Sequence, residues 1–540
     1  MKILLLQPPI QDFYDTDIRL QPLGLCMLKA AAKKLLPHVQ VFVRDYHQGY
    51  GRKTIPLPTE LSYLRAYFRY PDTSPFSTFF HYYHFGASFE DIAEDVAHEK
   101  PDLVGISSLF SPYHREALAC AREIKKHLDI PVLMGGSHVS AAPLSVLNDP
   151  SVDFIIRGEG ERPFVEFLRA WEAGLSLDCV PNLGFKRDGE PVLNAMAENF
   201  ALDELPPADF SDLSLHRYLF ERKPLCFLTA SRGCPHHCTF CSVHSTFGEK
   251  FRKRSPDHVL SEIRQRYSEG YRAFDFEDDN LSFSRDDLKT ILNALIAEFP
   301  HDDLPLVAMN GISYFSLDQE ILGLMKRAGF RNLNISLVSA NADVLARLKR
   351  PHTLSKYLDV VNQAHGLGFN VVSYQILGLP YESLEDMIST MALMVTLPVL
   401  IGASIFYLTP GCPIAQEFPE RTEADIFKAR STAMAVETDQ FRRDDLYTLF
   451  ITARIVNFLK GLRLKGERVS LQDALGEAEQ AGTREKLGAQ ILRKLLDERR
   501  LYAATKGTFE LLPGFKTERF LRVLTKSQSV RTLRGAVITL

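Results

Sequence analysis

Three cysteines crowd into eight positions of the segment Ser231-Arg232-Gly233-Cys234-Pro235-His236-His237-Cys238-Thr239-Phe240-Cys241. Thiolates are soft, strong metal ligands. Gaps of three and two residues let one short loop curl and present all three sulfurs to a common centre. Only 8 of 540 residues are cysteine, so composition alone does not explain the crowding. Two chemistries suit the pattern. A four-iron cluster held by three thiolates leaves one iron open to a further ligand. A zinc ion would take the same thiolates with His236, His237 or His244. The other cysteines, at 26, 120, 179, 226 and 412, are scattered. That usage fits a reducing cytoplasm and a metal site, not a disulfide framework.

Other segments could serve such a centre. Phe276-Glu277-Asp278-Asp279-Asn280 sets three carboxylates at a strand end, as hydrogen-bond acceptors for a donor ligand or as a solvated acidic turn. Ile376-Leu377-Gly378-Leu379-Pro380-Tyr381-Glu382 puts a glycine at a strand exit, where the backbone can be approached closely; by itself it reads as an ordinary strand exit. Thr409-Pro410-Gly411-Cys412-Pro413 puts one more thiol at the end of an apolar run, and Cys412 is a candidate catalytic residue. Nearer the start stand Gln7-Pro8-Pro9, Ser107-Ser108, Met134-Gly135-Gly136-Ser137-His138 and Arg157-Gly158-Glu159-Gly160-Glu161. Asp45-Tyr46-His47 is best read as structural.

The elements that must position these segments alternate. Up to about residue 165, short apolar runs near 2–7, 39–44, 102–107, 131–134 and 153–156 are separated by stretches of helical periodicity. Strand–helix–strand alternation predicts a parallel, doubly wound α/β sheet, with ligands beyond the carboxyl ends of the strands. The aromatic-rich stretch 48–95 reads as an insertion and 166–224 as a connector. A second alternation follows over 225–420, with strands near 226–230, 273–277, 304–309, 331–337, 370–377 and 402–408. Six βα units predict a partial (β/α)6 barrel with its chemistry at the carboxyl ends of the strands. Residues 421–540 turn helical and charged, and a hairpin around Lys506-Gly507 leaves two readings open, a winged-helix-like module or a helical cap that shields the barrel.

Composition sets outer bounds. A net charge of −4 with 45% hydrophobic residues gives no general attraction to nucleic acid or anionic membrane. No run approaches a membrane span, and MKILLLQPPI lacks the build of a signal peptide.

The spacing CxxxCxxC, with Phe240 before the last cysteine, resembles the radical S-adenosylmethionine (SAM) superfamily. The resemblance implies a 4Fe-4S cluster on Cys234, Cys238 and Cys241. SAM would bind the open iron and be cleaved to a 5′-deoxyadenosyl radical. It also implies SAM contacts from Phe240, Asp278, Asp279, Ser336, Gly378 and Leu379. Where relatives carry a glutamate on the fourth strand, this chain has Val338. The preceding domain resembles the cobalamin-binding subclass. That resemblance implies cobalamin contacts from Pro8, Ser107, Gly135, Gly136, His138, Gly158, Glu159 and Gly160.

The expected activity is methylation of an unactivated carbon through methylcobalamin. The alternatives are cyclisation, oxidation or rearrangement without methyl transfer, and a cluster-bearing RNA-binding or RNA-modifying protein. The expected partners are a small-molecule, lipid or peptide substrate and a reductant such as flavodoxin or ferredoxin, in the cytoplasm and without nucleic acid.

Overall fold

A computed structural model of the chain describes residues 1–14, 21–299, 304–310 and 312–540. The chain divides into two compact units. One comprises Met1–Pro56, Tyr82–Leu306 and Leu408–Ala429; the other comprises Leu57–His81, Val307–Tyr407 and Arg430–Leu540.

The first unit begins with strands β1 (Lys2–Gln7), β2 (Gln40–Asp45), β3 (Leu103–Ser107), β4 (Val132–Gly135) and β5 (Phe154–Ile156). Strands β6 (Leu183–Arg187) and β7 (Glu190–Leu193) complete one sheet in the order β7-β6-β5-β4-β3-β1-β2. Its first five strands are parallel. Helices α1 (Leu23–Leu35), α2 (Phe89–Glu99), α3 (His114–His127), α4 (Ser137–Ala141) and α5 (Glu161–Glu172) supply the crossovers and cover. Ile3, Leu4, Leu5 and Leu6 are all buried, because helices cover both faces of such a sheet. Strand order reverses at β1, so the crevice of this doubly wound sheet opens between the ends of β1 and β3.

The expected connector contributes structure of its own. Arg187 pairs with Glu190 across Asp188-Gly189, which have φ of 53° and 86°. Positive φ at both turn positions is what a two-residue hairpin requires. The hairpin extends the sheet through antiparallel pairing of β6 with β5. Within the expected insertion, Arg52–Ile55 and Tyr82–Phe85 form a small antiparallel sheet with Ile10–Asp12.

The same unit continues with β8 (Lys223–Leu228), β9 (Ser231–Arg232), β10 (Arg252–Lys253) and β11 (Ala273–Phe276), and this stretch of it ends at Leu306, the first residue of β12 (Leu306–Val307). Strands β8 and β11 are parallel, with β12 beside β11. Between them run α6 (Val243–Phe247), α7 (Pro256–Ser268) and α8 (Arg285–Glu298).

The second unit carries the remaining strands of the alternation: β13 (Asn332–Val338), β14 (Asn370–Leu377) and β15 (Leu400–Ile405), all parallel. The helices α9 (Gln319–Ala328), α10 (Leu354–Gly366) and α11 (Leu384–Val395) are started by Asp318, Thr353 and Ser383, whose side chains accept backbone N–H groups. The long helix α12 (Arg443–Gly461) is largely buried. Its Lys460 is fully enclosed and donates to the carbonyls of Met394, Val395 and Leu397 at 3.0, 3.0 and 2.5 Å, and to that of Arg531 at 3.2 Å. One lysine nitrogen thus closes the end of α11, where carbonyls lack helical partners. Helices α13 (Leu471–Glu479) and α14 (Thr483–Glu498) precede a hairpin of β16 (Tyr502–Thr505) and β17 (Thr508–Leu511), turning at Lys506-Gly507. Among the described residues no helix is long and apolar enough to cross a membrane.

Candidate cluster and cofactor site

Strand β8 delivers the chain to the cysteine loop, and the short β9–β10 ladder anchors the loop's start. Gly233 then turns with φ of 78°; a Cβ there would stand 2.8 Å from the Lys250 carbonyl, so only glycine fits. Beyond it the N–H of Cys241 donates to the Cys238 carbonyl at 3.1 Å. The His244 ring lies 2.8 Å through Nε2 from the Cys234 carbonyl. The Asn280 amide approaches Cys234 Sγ at 3.5 Å. Cys238 is buried, while Cys234 and Cys241 are half-buried. Burial pushes the Cys241 thiol up to about 12, and the neighbouring Cys238, Asp279 and Cys234 push in the same direction.

A thiol ligates as thiolate, so this set awaits a strong Lewis acid. Among the described residues no three His, Cys, Asp or Glu side chains converge as one ion would need. A cluster asks less, because each thiolate reaches a different iron. The donor set fits a cluster.

The acidic segment at the end of β11 braces this loop. Asp278 is buried and accepts the Ala230 N–H at 3.0 Å and the Ser231 hydroxyl. Burial pushes its carboxyl up to about 6. Asp279 accepts the Gly233 N–H at 2.9 Å and is otherwise exposed, so it keeps an open face for an amine. Phe240 is half-buried within the loop. Cys412 is buried in the same unit, and its thiol donates to the Thr409 carbonyl at 2.9 Å. Two residues on, the Ile414 N–H donates to the Thr239 carbonyl at 2.9 Å, tying this turn to the cysteine loop.

The other expected SAM residues belong to the second unit. Ser336 is half-buried on β13, and its carbonyl accepts from Arg350. Gly378 has φ of 85° and Leu379 is fully buried. Val338 is buried with φ of 69°, a rare conformation for a β-branched residue and a point of stored strain.

In the first unit, Pro8, Ser107, Gly135, Gly136 and Gly158 all lie just past or at the carboxyl ends of parallel strands. Ser107 pairs with Gly135, and Gly135 with Ile156. Gly136 has φ of 116°, and a Cβ there would lie 2.5 Å from the Ser108 carbonyl. The N–H of His138 donates to that carbonyl at 3.1 Å. His138 is buried 5.0 Å from the His114 ring, with Nδ1 3.0 Å from the Ser111 hydroxyl. Burial pushes its imidazole down to about 3, so it is neutral. His138 Nε2 and Ser108 Oγ are buried polar atoms without a protein partner. Two orphaned polar atoms at the crevice of a doubly wound sheet fit a large ligand bearing polar side groups. The triplet at 45–47 turns inward: Asp45 accepts the N–H groups of His47 and Gln48, and His47 is buried.

Glu159 is engaged elsewhere. Its two oxygens take Arg232 at 2.7 Å and Arg252 at 2.6 Å, and Glu161 takes Arg232 at 2.5 Å. Sequence reasoning missed Arg232, Glu161 and Asn280. The available signals were an arginine placed directly before Gly233-Cys234 and a second glutamate in the Gly158–Glu161 run.

Two family models match the chain, the radical SAM superfamily over residues 228–394 and the B12 binding domain over residues 76–168. An uncharacterized methyltransferase of Pyrococcus horikoshii is 28% identical, over 56% of this chain and 66% of its own. The cytidylyl-2-hydroxyethylphosphonate methyltransferase of Streptomyces wedmorensis is 27% identical, over 72% of this chain and 75% of its own. Among solved structures, the cobalamin-dependent S-adenosylmethionine radical enzyme OxsB, with aqua-cobalamin and S-adenosylmethionine bound, superposes with a TM-score of 0.63. That superposition covers 98% of this chain and 78% of OxsB at 14% identity, a likeness of fold.

Proposed function

The chain is a radical SAM enzyme with a B12-binding domain ahead of its radical SAM domain, and from that premise we infer that it methylates an unactivated carbon. One observation carries the reading furthest. Helix α4, which follows Gly135-Gly136, packs on α6, which follows Cys241. The strand ends suited to cobalamin and the loop suited to the cluster are therefore neighbours within one compact unit.

When bound, the cluster with SAM supplies a 5′-deoxyadenosyl radical and cobalamin supplies the methyl group. The chain's own residues hold and shield. Cys234, Cys238 and Cys241 provide three thiolates on a loop braced by Asp278 through Ala230 and Ser231. Asp279 offers its exposed oxygen to the amino group of SAM, while its other oxygen holds Gly233. Phe240, on the same loop as the cysteines, would add a further SAM contact, and the contacts expected of Ser336, Gly378 and Leu379 rest on the family resemblance alone. Pro8, Ser107, Gly135, Gly136, His138, Gly158 and Gly160 line the cobalamin crevice, where His138 stays a neutral hydrogen-bonding group. Cys412, with its thiol given to Thr409, shapes the turn that meets the cluster loop. The substrate is a small molecule, lipid or peptide. The electron comes from a flavodoxin or ferredoxin in a reducing cytoplasm.

Anaerobic reconstitution of the full chain tests this. Iron at about four and cobalt at about one per chain are expected. With SAM and a reductant, deoxyadenosine should form, and with substrate also S-adenosylhomocysteine and a methylated product. Deoxyadenosine and altered substrate without S-adenosylhomocysteine would favour cyclisation or oxidation. A chain that takes no cobalamin would overturn methyl transfer.

A further inference from the structure

Two glutamates and two arginines meet in the first unit, three of them buried and Arg252 partly so. Arg232 is 6% exposed and its guanidinium spans two carboxylates, Nη1 to Glu159 at 2.7 Å and Nη2 to Glu161 at 2.5 Å. Arg252 holds the other oxygen of Glu159 at 2.6 Å and donates to the Phe200 carbonyl at 3.1 Å. Arg232 and Arg252 are also cross-strand partners in the β9–β10 ladder. The charges balance, and the side chains of both glutamates and of Arg232 are at most 7% exposed. A fork donating to two carboxylates fixes position as well as charge.

The ends of this network differ in kind. Glu159 and Glu161 follow β5, at the carboxyl edge of the doubly wound sheet, and Glu161 opens α5. Arg232 lies two residues before Cys234. Between them Gly233 is held by Asp279 and is sterically barred from carrying a side chain. The first cysteine therefore leaves a backbone fixed from two sides: by Asp278 and Asp279 from β11, and by Glu159 and Glu161 from the B12-binding domain.

We propose that Glu159 and Glu161 are positioning residues for the iron–sulfur loop, acting through Arg232, and that Glu159 is not a cobalamin ligand. The network makes the B12-binding domain one wall of the cluster site. It sets where Cys234 presents its sulfur to a cluster. This rests on the reading that the loop carries a cluster.

The test uses the reconstituted full chain and the variants Glu159→Gln, Glu161→Gln and Arg232→Lys. Arg232→Lys keeps the charge but cannot fork to both carboxylates. Cobalamin binding, followed by its absorption spectrum, should stay within about twofold of the parent in the Gln variants. The reduced cluster should show an altered electron paramagnetic resonance signal and a smaller change on adding SAM. Deoxyadenosine formation should fall by about tenfold or more, as expected when a reacting group is misplaced. Loss of cobalamin from Glu159→Gln with an unchanged cluster signal would overturn the proposal and return Glu159 to the cofactor. Should the Gln variants fail to fold, Arg232→Lys decides alone: a parental spectrum and deoxyadenosine yield overturn the proposal, and a shifted spectrum with cobalamin retained supports it. A parent chain that assembles no cluster would instead sink the reading on which this rests.

Discussion

At the residue scale, chemistry follows from what surrounds each group. Glu382 is fully buried, close to Asp386, and burial pushes its carboxyl up to about 8. The folded chain keeps a proton that the unfolded chain releases across the window from the ordinary carboxylate range up to about 8. Stability should fall as pH rises through that window and level off above it. Glu382→Gln keeps the shape and removes the titration, so denaturant midpoints measured against pH should lose that slope; an unchanged slope would contradict the assignment. Cys412 gives a second expectation. Its thiol serves a local carbonyl, so Cys412→Ala should lower deoxyadenosine formation by less than about threefold, the scale of one modest hydrogen bond. A loss as complete as that of a cluster cysteine would make it a reacting group. The cysteine triad was legible because its spacing is local. The Arg232–Glu161 pair was not, because its members stand 71 residues apart and meet only through the fold.

At the element scale, a few backbone positions hold the ligand-facing edges in place. Gly136 combines φ of 116° with a Cβ position 2.5 Å from the Ser108 carbonyl. Gly136→Ala should cost about 1–3 kcal/mol of stability through strain and overlap, and should weaken cobalamin binding more than cluster assembly. Equal affinity for cobalamin would show that this loop does not line the crevice. Lys460 closes α11 with its buried side-chain nitrogen. Lys460→Met strands those carbonyls and should lower the unfolding free energy by about 2–4 kcal/mol, read as a drop in urea midpoint. The alternation of strands and helices was legible because parallel strands buried on both faces read as apolar runs. The hairpin at Asp188-Gly189 carries a plain turn signal inside a segment whose prolines read as connector. Other assignments depend on distant contacts. Residues 57–81 belong with the C-terminal region: the Thr73 N–H bonds the Ala504 carbonyl, and the Tyr67 hydroxyl bonds Asp444. No local pattern announces such pairings.

At the scale of the whole molecule, two family models with their domains in this order, and a fold likeness spanning 98% of the chain, agree with the chemistry of its parts. A reduced thiol loop, a braced acidic strand end and a glycine-lined crevice are different devices, each suited to one cofactor. Their value lies in proximity, since radical formation and methyl delivery must meet on one substrate while water is kept out. The central claim is that Cys234, Cys238 and Cys241 hold the cluster that cleaves SAM. The most direct measurement compares the reconstituted parent with Cys238→Ala for deoxyadenosine release under a low-potential reductant, with bound cobalamin measured on the same samples. The variant should release none and still bind cobalamin. Parental deoxyadenosine from Cys238→Ala would contradict it.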